Sequence, residues 1–341
     1  MKKWLTVVLI ALLAVAAGCG SRTSSETPEP SQGEGQPQTE PDASFSKSFT
    51  VVTSSEYAID DLAKMVTWET LRSQGWQVEE LILAKNELAV SALAQGEADI
   101  GGLVVNLAID SKEKGVPIKS IYQEKGNQWV LVAKKEIATP ADLAGKRVGI
   151  HGENSLSNSL VSWTAKKYGI ELSDKPVIPG SSVRAQAMIQ GQIDATVIDI
   201  ASTIELLERA PNDFHRLIVY SKDAPEIMGS MTVAREDWLQ ENPETAAAVV
   251  KALIETAARA KQDPEWMIEQ AKKHFPETED ATIEKIVREM IDSSLWDSEG
   301  TLTFEQMKAT MDFFVEAGDL PETVSDPAKF VDLTPLEQAK Q

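Results

Sequence analysis

Cysteine is nearly missing from this chain, with one residue, Cys19, among 341. A lone thiol forms no internal disulfide, and the three histidines (151, 215 and 274) show no metal-ligand spacing. That leaves neither a Cys/His metal framework nor a Cys–His nucleophile pair to argue from. Positive charge is also short: 33 Lys and Arg stand against 53 Asp and Glu, a formal net charge of −20. A chain so acidic disfavours nucleic acid and anionic lipid surfaces as partners. After residue 18 there is no run of 18 apolar residues, so no membrane-spanning helix is expected there.

What is present begins with a leader. Lys2-Lys3 precede an apolar stretch from Trp4 to Val15 that is too short to span a bilayer comfortably. Ala16-Ala17-Gly18-Cys19 follows and looks like a bacterial lipobox, with Ala16 where Leu is usual. The expectation is a lipoprotein signal peptide over 1–18, with Cys19 lipidated as residue one of the mature chain. A cleaved secretory peptide or an uncleaved anchor would still put the body outside the cytoplasmic membrane. Ser21 to Ser44 is dense in Ser, Thr, Pro, Gly, Gln and Glu. Such a composition buries too little surface to offset chain entropy, so 19–47 reads as a disordered tether. About 25 flexible residues reach roughly 25–30 Å.

The body carries an internal repeat. Ala92-Leu93-Ala94-Gln95-Gly96-Glu97-Ala98-Asp99-Ile100 returns 95 residues later as Ala187-Met188-Ile189-Gln190-Gly191-Gln192-Ile193-Asp194-Ala195. Each copy reads as a helix end, a Gly suited to the left-handed C′ position, and an Asp opening a buried strand. Upstream, Phe49 to Thr53 and Arg147 to Ile150 are strand-like runs, and each enters a polar loop. One α/β unit therefore occurs twice, which predicts two α/β lobes with a ligand where the carboxyl ends of both sheets converge. First-lobe strands are expected at 49–53, 78–83, 99–103 and 118–122, with helices between them. The second lobe is expected to hold helices over 154–168, 181–190 and 202–208. Beyond Asp237 the period is helical, and those helices are expected to pack on the first lobe and the hinge.

In this order of pieces the chain resembles the extracytoplasmic substrate-binding proteins of ATP-driven importers, in the nitrate/sulfonate/taurine and thiamine-pyrimidine group. The resemblance rests on Ala92 to Gly101, Gly115-Val116-Pro117-Ile118-Lys119, Asp142 to Ile150, Gln190 to Ala195 and Glu241-Asn242-Pro243-Glu244. It implies a periplasmic-binding-protein-like (type II) α/β fold: two lobes joined by a two-stranded hinge, with a helical C-terminal region. Lobe 1 would take 48–128 and 228–341, and lobe 2 would take 129–227, the hinge lying near 123–129 and 220–230. The implied activity is capture of a small solute and its delivery to an ABC permease and its ATPase by a lipid-anchored monomer, with no cofactor and no catalysis. One rival reading is an enzyme like the yeast-type thiamine-pyrimidine synthase on the same fold. Those proteins carry a Cys-rich motif, and here the single Cys lies in the lipobox. A non-transport solute sensor is the other.

Candidate ligand residues sit in the loops after the strands. Ser54, Ser55, Glu56 and Tyr57 follow the first strand, where hydroxyls and free N–H groups receive acceptor groups. Ser54 or Ser55 as a helix cap and Tyr57 as a core residue are the plainer alternatives. Asn106 follows the third strand. His151, Glu153, Asn154, Ser155, Ser157 and Asn158 form one loop and helix start with more donors and acceptors than a single cap needs. Ser182 and Arg184 open another helix, and Arg184 either pairs with a carboxylate or sulfonate or is a solvated surface residue. Asp199 closes the strand 195–198, as a ligand group or as a helix cap. Sulfonate-type relatives often show an aromatic residue and a Pro near this point, whereas this chain has Asp199-Ile200-Ala201. With Glu56 and Glu153 nearby, that departure points toward an amine, an amide or a nitrogen heterocycle.

Overall fold

Two sheets set the architecture of the computed structural model, which describes residues 45–341 apart from 55 and 84. Cys19, the leader, most of the tether and Ser55 lie outside the described residues. The first sheet contains β1 (Ser48–Thr53), β2 (Gln77–Ile82), β3 (Ile100–Val104), β4 (Ile118–Lys125) and β9 (Ser230–Arg235), in the order β2-β1-β3-β9-β4. β9 runs antiparallel between β3 and β4. The second sheet contains β5 (Val130–Lys134), β6 (Val148–Gly149), β7 (Ala195–Ile198) and β8 (Phe214–Val219), in the order β6-β7-β5-β8. Isolated parallel bridges Arg147↔Asp174 and Ile150↔Val177 place residues 174–177 beside β6. They occupy the place that β2 holds beside β1, so the two sheets repeat one plan.

The helices of the first lobe are α1 (Leu62–Ser73), α2 (Asn86–Gln95) and α3 (Val105–Glu113). Those of the second are α4 (Leu156–Tyr168), α5 (Ser181–Ile189) and α6 (Ile200–Arg209). After the short α7 (Tyr220–Asp223), the C-terminal part adds α8 (Glu236–Glu241), α9 (Pro243–Gln262), α10 (Pro264–His274), α11 (Asp280–Asp292), α12 (Phe304–Ala317) and α13 (Thr334–Ala339).

The repeat has a structural cause. Gly96 and Gly191 take φ of +75° and +69°, the left-handed turn that ends α2 and α5 without a Cβ penalty. The Asp that follows then ties its strand to the first strand of the same lobe. Asp99 Oδ2 accepts the Thr50 N–H at 2.9 Å while the Asp99 N–H donates to the Thr50 carbonyl at 2.9 Å. Asp194 does the same with Arg147, accepting its N–H at 3.1 Å and donating to its carbonyl at 2.9 Å. These bonds lie at the amino ends of the sheets, away from the loops expected to bind ligand.

The chain crosses between the sheets twice, at 126–129 and 220–229, and the two crossings touch. The Gly229 N–H donates to the Lys125 carbonyl at 3.0 Å. A Cβ on Gly229 would stand 2.3 Å from the Gly126 carbonyl oxygen. The C-terminal helices depart from the expected packing. α9 and α13 lie on α1 and β4 of the first lobe, but α11 packs on α6 and α12 on α4, both in the second. Trp163 of α4 meets Phe313 of α12 at 5.9 Å between ring centroids. An apolar face whose partner is distant in sequence is visible in a helical period, but the identity of that partner is not. At the amino end of β1, Phe45 packs on Trp76 at 5.8 Å, and the Ser46 carbonyl accepts from Thr245 Oγ1 at 2.7 Å.

Candidate functional site

The loops at the carboxyl ends of β1, β3, β6 and β7 converge on the double crossing, and one hydrogen bond spans the lobes there. Asn106 Nδ2, at the start of α3, donates to the Asn154 carbonyl at 3.1 Å. Beneath it, β4 ends in a buried charged cluster against α1 and the turn before it. Lys64 Nζ lies 2.7 Å from Glu124 Oε1 and 3.3 Å from Asp61 Oδ1. Lys125 Nζ lies 2.6 Å from Asp60 Oδ2 and 2.7 Å from Asp61 Oδ1. Gln128 Nε2 reaches the same Asp60 Oδ2 at 2.7 Å. Burial alone would push both lysines down, but Glu124 and Asp61 around Lys64, and Asp60 and Asp61 around Lys125, raise them. For Asp61, burial is overcome by Lys125 and Lys64, so its carboxyl is held well below the usual range. Asp60 goes the other way: burial raises it against the pull of Lys125, with Asp61 and Asp199 adding to the rise. Three carboxylates thus face two ammoniums, and Asp60 shares Lys125 with Asp61. A cavity of about 10 Å³ inside the cluster has room for one water and for no organic solute.

Around the crossing, four buried side-chain atoms lack a partner among the described residues: Asn106 Oδ1, Asn127 Nδ2, Gln128 Oε1 and Ser230 Oγ. Asn127 and Gln128 follow Gly126, and Ser230 follows Gly229. Asn106 follows Val105, whose N–H donates to the Gly229 carbonyl at 3.2 Å. An unpaired buried polar atom costs about 1–3 kcal/mol. Three of them lie within two residues of the Gly126–Gly229 contact and the fourth adjoins Val105, which bonds Gly229, so all four gather at the crossing as candidate hydrogen-bonding groups.

The residues expected from sequence divide into several groups. Ser54 is half-buried, and Glu56, Glu153, Asn154 and Ser182 are exposed. Tyr57 serves its own lobe: its hydroxyl donates to Glu80 and its ring lies 5.4 Å from Lys64 Nζ. Burial and Glu80 push that hydroxyl well above its ordinary value. Ser155 and Ser157 spend their polar atoms on the loop itself, and Asn158 divides its amide between the loop and Lys175, whose Nζ lies 2.8 Å from Asn158 Oδ1. Ser155 Oγ donates to the Gly152 carbonyl at 2.6 Å, Ser157 Oγ accepts the His151 N–H at 2.9 Å, and Asn158 Nδ2 donates to the Glu153 carbonyl at 2.7 Å. These three shape the lip of lobe 2. His151 Nδ1 accepts the Gly180 N–H at 3.2 Å, and desolvation with nearby Arg184 lowers its pKa. Asp199 caps α6, accepting the Ser202 N–H at 2.7 Å.

Arg184 is neither a surface residue nor an open anion site. It is 0% exposed, and its guanidinium donates to the carbonyls of Val197 and Ile178 and to Ser181 Oγ. Burial pushes it down to about 10, with Asp199 opposing. The sequence reading missed Asp60, Asn127, Gln128 and Ser230. The polar run Gln123 to Gln128 was visible, but composition does not tell a buried polar run from an exposed loop.

This plan is that of the two-lobed periplasmic-binding-protein-like fold. Residues 72–266 match the NMT1/THI5-like family, and the chain belongs to it. It is 26% identical over 191 residues to the taurine-binding periplasmic protein of Escherichia coli (strain K12), covering 53% of this chain and 57% of that protein. It is 26% identical over 189 residues to the 4-amino-5-hydroxymethyl-2-methylpyrimidine phosphate synthase of Uromyces fabae, covering 50% and 54%. The chain therefore spans little more than half the length of these two relatives. Among solved structures, the ligand-binding component of an ABC-type import system from Staphylococcus aureus superposes with a TM-score of 0.68 at 16% identity, covering 86% of this chain and 98% of that one.

Proposed function

We propose that this protein is an extracytoplasmic receptor for a small organic solute, held to the membrane by a lipid on Cys19. It acts as a monomer and hands the solute to an ABC permease and its ATPase. The solute sits between the lobes at the double crossing, and the lobes open and close about 126–129 and 220–229. The observation that carries this reading is the set of unpartnered buried atoms at Asn106, Asn127, Gln128 and Ser230. The relative from Escherichia coli, named for taurine binding, supports the class of activity.

The polarity of those atoms bears on the solute. Two are acceptors, one is a donor and one is a hydroxyl, beside the Asp60 carboxyl, which shares Lys125 with Asp61. A nitrate or a plain sulfonate offers acceptors only and would leave Asn106 Oδ1 and Gln128 Oε1 unmatched. A solute with N–H donors (an amine, an amide or an amino-substituted nitrogen heterocycle) satisfies them. Exposed Glu56 and Glu153 on the two lips fit the same class.

A thermal-shift screen against taurine, alkanesulfonates, nitrate, thiamine pyrimidines, flavins and purines tests this. A solute at 100 times its Kd stabilises by about 2.7 kcal/mol. The expected result is a melting shift with a donor-bearing compound, lost for nitrate and alkanesulfonates. A shift with those anions alone would overturn the donor-rich reading. Chemical conversion of a bound compound would replace the receptor with an enzyme.

A further inference from the structure

Helix α11 is anchored in one lobe and gripped by the other. On the first-lobe side it pairs with α10, where Arg288 meets Glu265 and Lys272 lies 3.3 Å from Asp280. α10 is fixed in turn to α9 by Arg259 over the Trp266 ring at 3.8 Å, and to α1 by Lys273 at 2.9 Å from Glu69. On the second-lobe side, Ile283, Ile286, Val287 and Met290 of α11 share one buried cluster with Ile200 and Ile204 of α6. That cluster also takes in Ile59, Leu62, Ala63 and Val66 from the first lobe, so it crosses the seam between the lobes. Two polar links flank it. Arg216 of β8 holds Glu289 with both terminal nitrogens, Nη2 to Oε2 at 2.7 Å, and Glu208 of α6 accepts from Thr282 Oγ1 at 2.9 Å and from Lys285.

The segment after α11 runs straight to the crossing. Ser294 takes φ of +53°, the one non-glycine in the left-handed region among the described residues. The Gly126 N–H then donates to the Leu295 carbonyl at 2.7 Å, and Trp296 Nε1 donates to the Asp60 carbonyl at 2.8 Å. The other grip on lobe 2 sets Phe313 of α12 on Trp163 of α4, and Trp163 in turn meets Tyr220 at 6.3 Å, at the start of the second crossing where a pivot moves least.

We propose that α11 is a latch for lobe closure. Its seam with α6 and β8 holds the lobes together, and the 293–297 segment ties that latch to Asp60 at the base of the cleft. Opening the lobes parts the Arg216–Glu289 fork and uncovers Ile200 and Ile204. The inference rests on the hinged reading above, but its test needs no solute, so failure of the latch is told apart from failure to find a ligand.

The experiment is a charge-reversal cycle on the full chain, read by small-angle X-ray scattering and by amide hydrogen exchange. Glu289→Arg places like charges at the fork. The expected result is a larger radius of gyration and faster exchange in α6 and α11, with α9 and α10 unchanged. The double variant Arg216→Glu, Glu289→Arg restores the pair and returns both readouts toward wild type. Unchanged scattering and exchange in Glu289→Arg would overturn the latch. So would an expansion that the double variant fails to recover, because that is damage to folding rather than release of a pair. If Glu289→Arg does not fold, Glu289→Gln replaces it, with the same expected direction and the same overturning result.

Discussion

Asp194 shows how one side chain serves the fold and sets an acid limit. Arg147 holds it through both its fork and its N–H, and Lys134 adds a fourth bond at 2.7 Å, so its carboxyl lies well below the ordinary range. A depressed carboxyl contributes stability that is fully present above about pH 3.9 and is lost as pH falls through the folded value. Asp194→Ala should cost about 1–3 kcal/mol in urea unfolding at pH 7, with the difference from wild type shrinking in acid. Ser230 gives the opposite signature. Its hydroxyl is buried and unpartnered, so Ser230→Ala should not destabilise the fold and should stabilise it by up to about 1–3 kcal/mol. The same change should weaken solute binding about five- to tenfold by calorimetry, since about 1 kcal/mol is lost with one neutral hydrogen bond. Wild-type affinity would remove Ser230 from the site. Arg184→Met should destabilise by about 3 kcal/mol, because the Val197 and Ile178 carbonyls would lose their buried donors.

At the scale of elements, the strands and helices of both lobes were legible because each repeats a local rule. Gly96 and Gly191 end helices, Asp99 and Asp194 open strands, and apolar runs fix the rest. The candidate site was legible only at its rim. Loop 151–158 was visible for its density of polar groups, yet Ser155 and Ser157 turn those groups inward on the loop, and Asn158 divides its amide between the loop and Lys175. The base of the site depends on which polar residues a hinge buries, and that is decided by two crossings about a hundred residues apart. Gly229 is the sharpest example. Nothing in Met228-Gly229-Ser230 announces a contact with Gly126, but a Cβ there would meet its carbonyl oxygen at 2.3 Å. Gly229→Ala should therefore cost about 2 kcal/mol or more and broaden the scattering profile, as the crossings are forced apart. An unchanged melting temperature would show that the crossings slide freely.

At the scale of the whole molecule, the acidic balance and the single cysteine gave the class of partners to set aside, and the repeat gave two lobes. The path of the C-terminal helices did not follow, since α11 and α12 reach lobe 2 through contacts that no local pattern encodes. The proposed lipid attachment is tested by Cys19→Ser, which should move the protein from the membrane fraction to the soluble extracytoplasmic fraction on immunoblots. Retention in the membrane fraction would point to an uncleaved anchor instead.

The chain enters its folded body at the amino end of β1, where Phe45 rests on Trp76 and Ser46 is held by Thr245. That is the end of the first sheet remote from the converging loops. The lipid-bound tether proposed above would join the first lobe there, so relative motion of the two lobes would leave that attachment in place and the mouth free to turn toward the proposed permease.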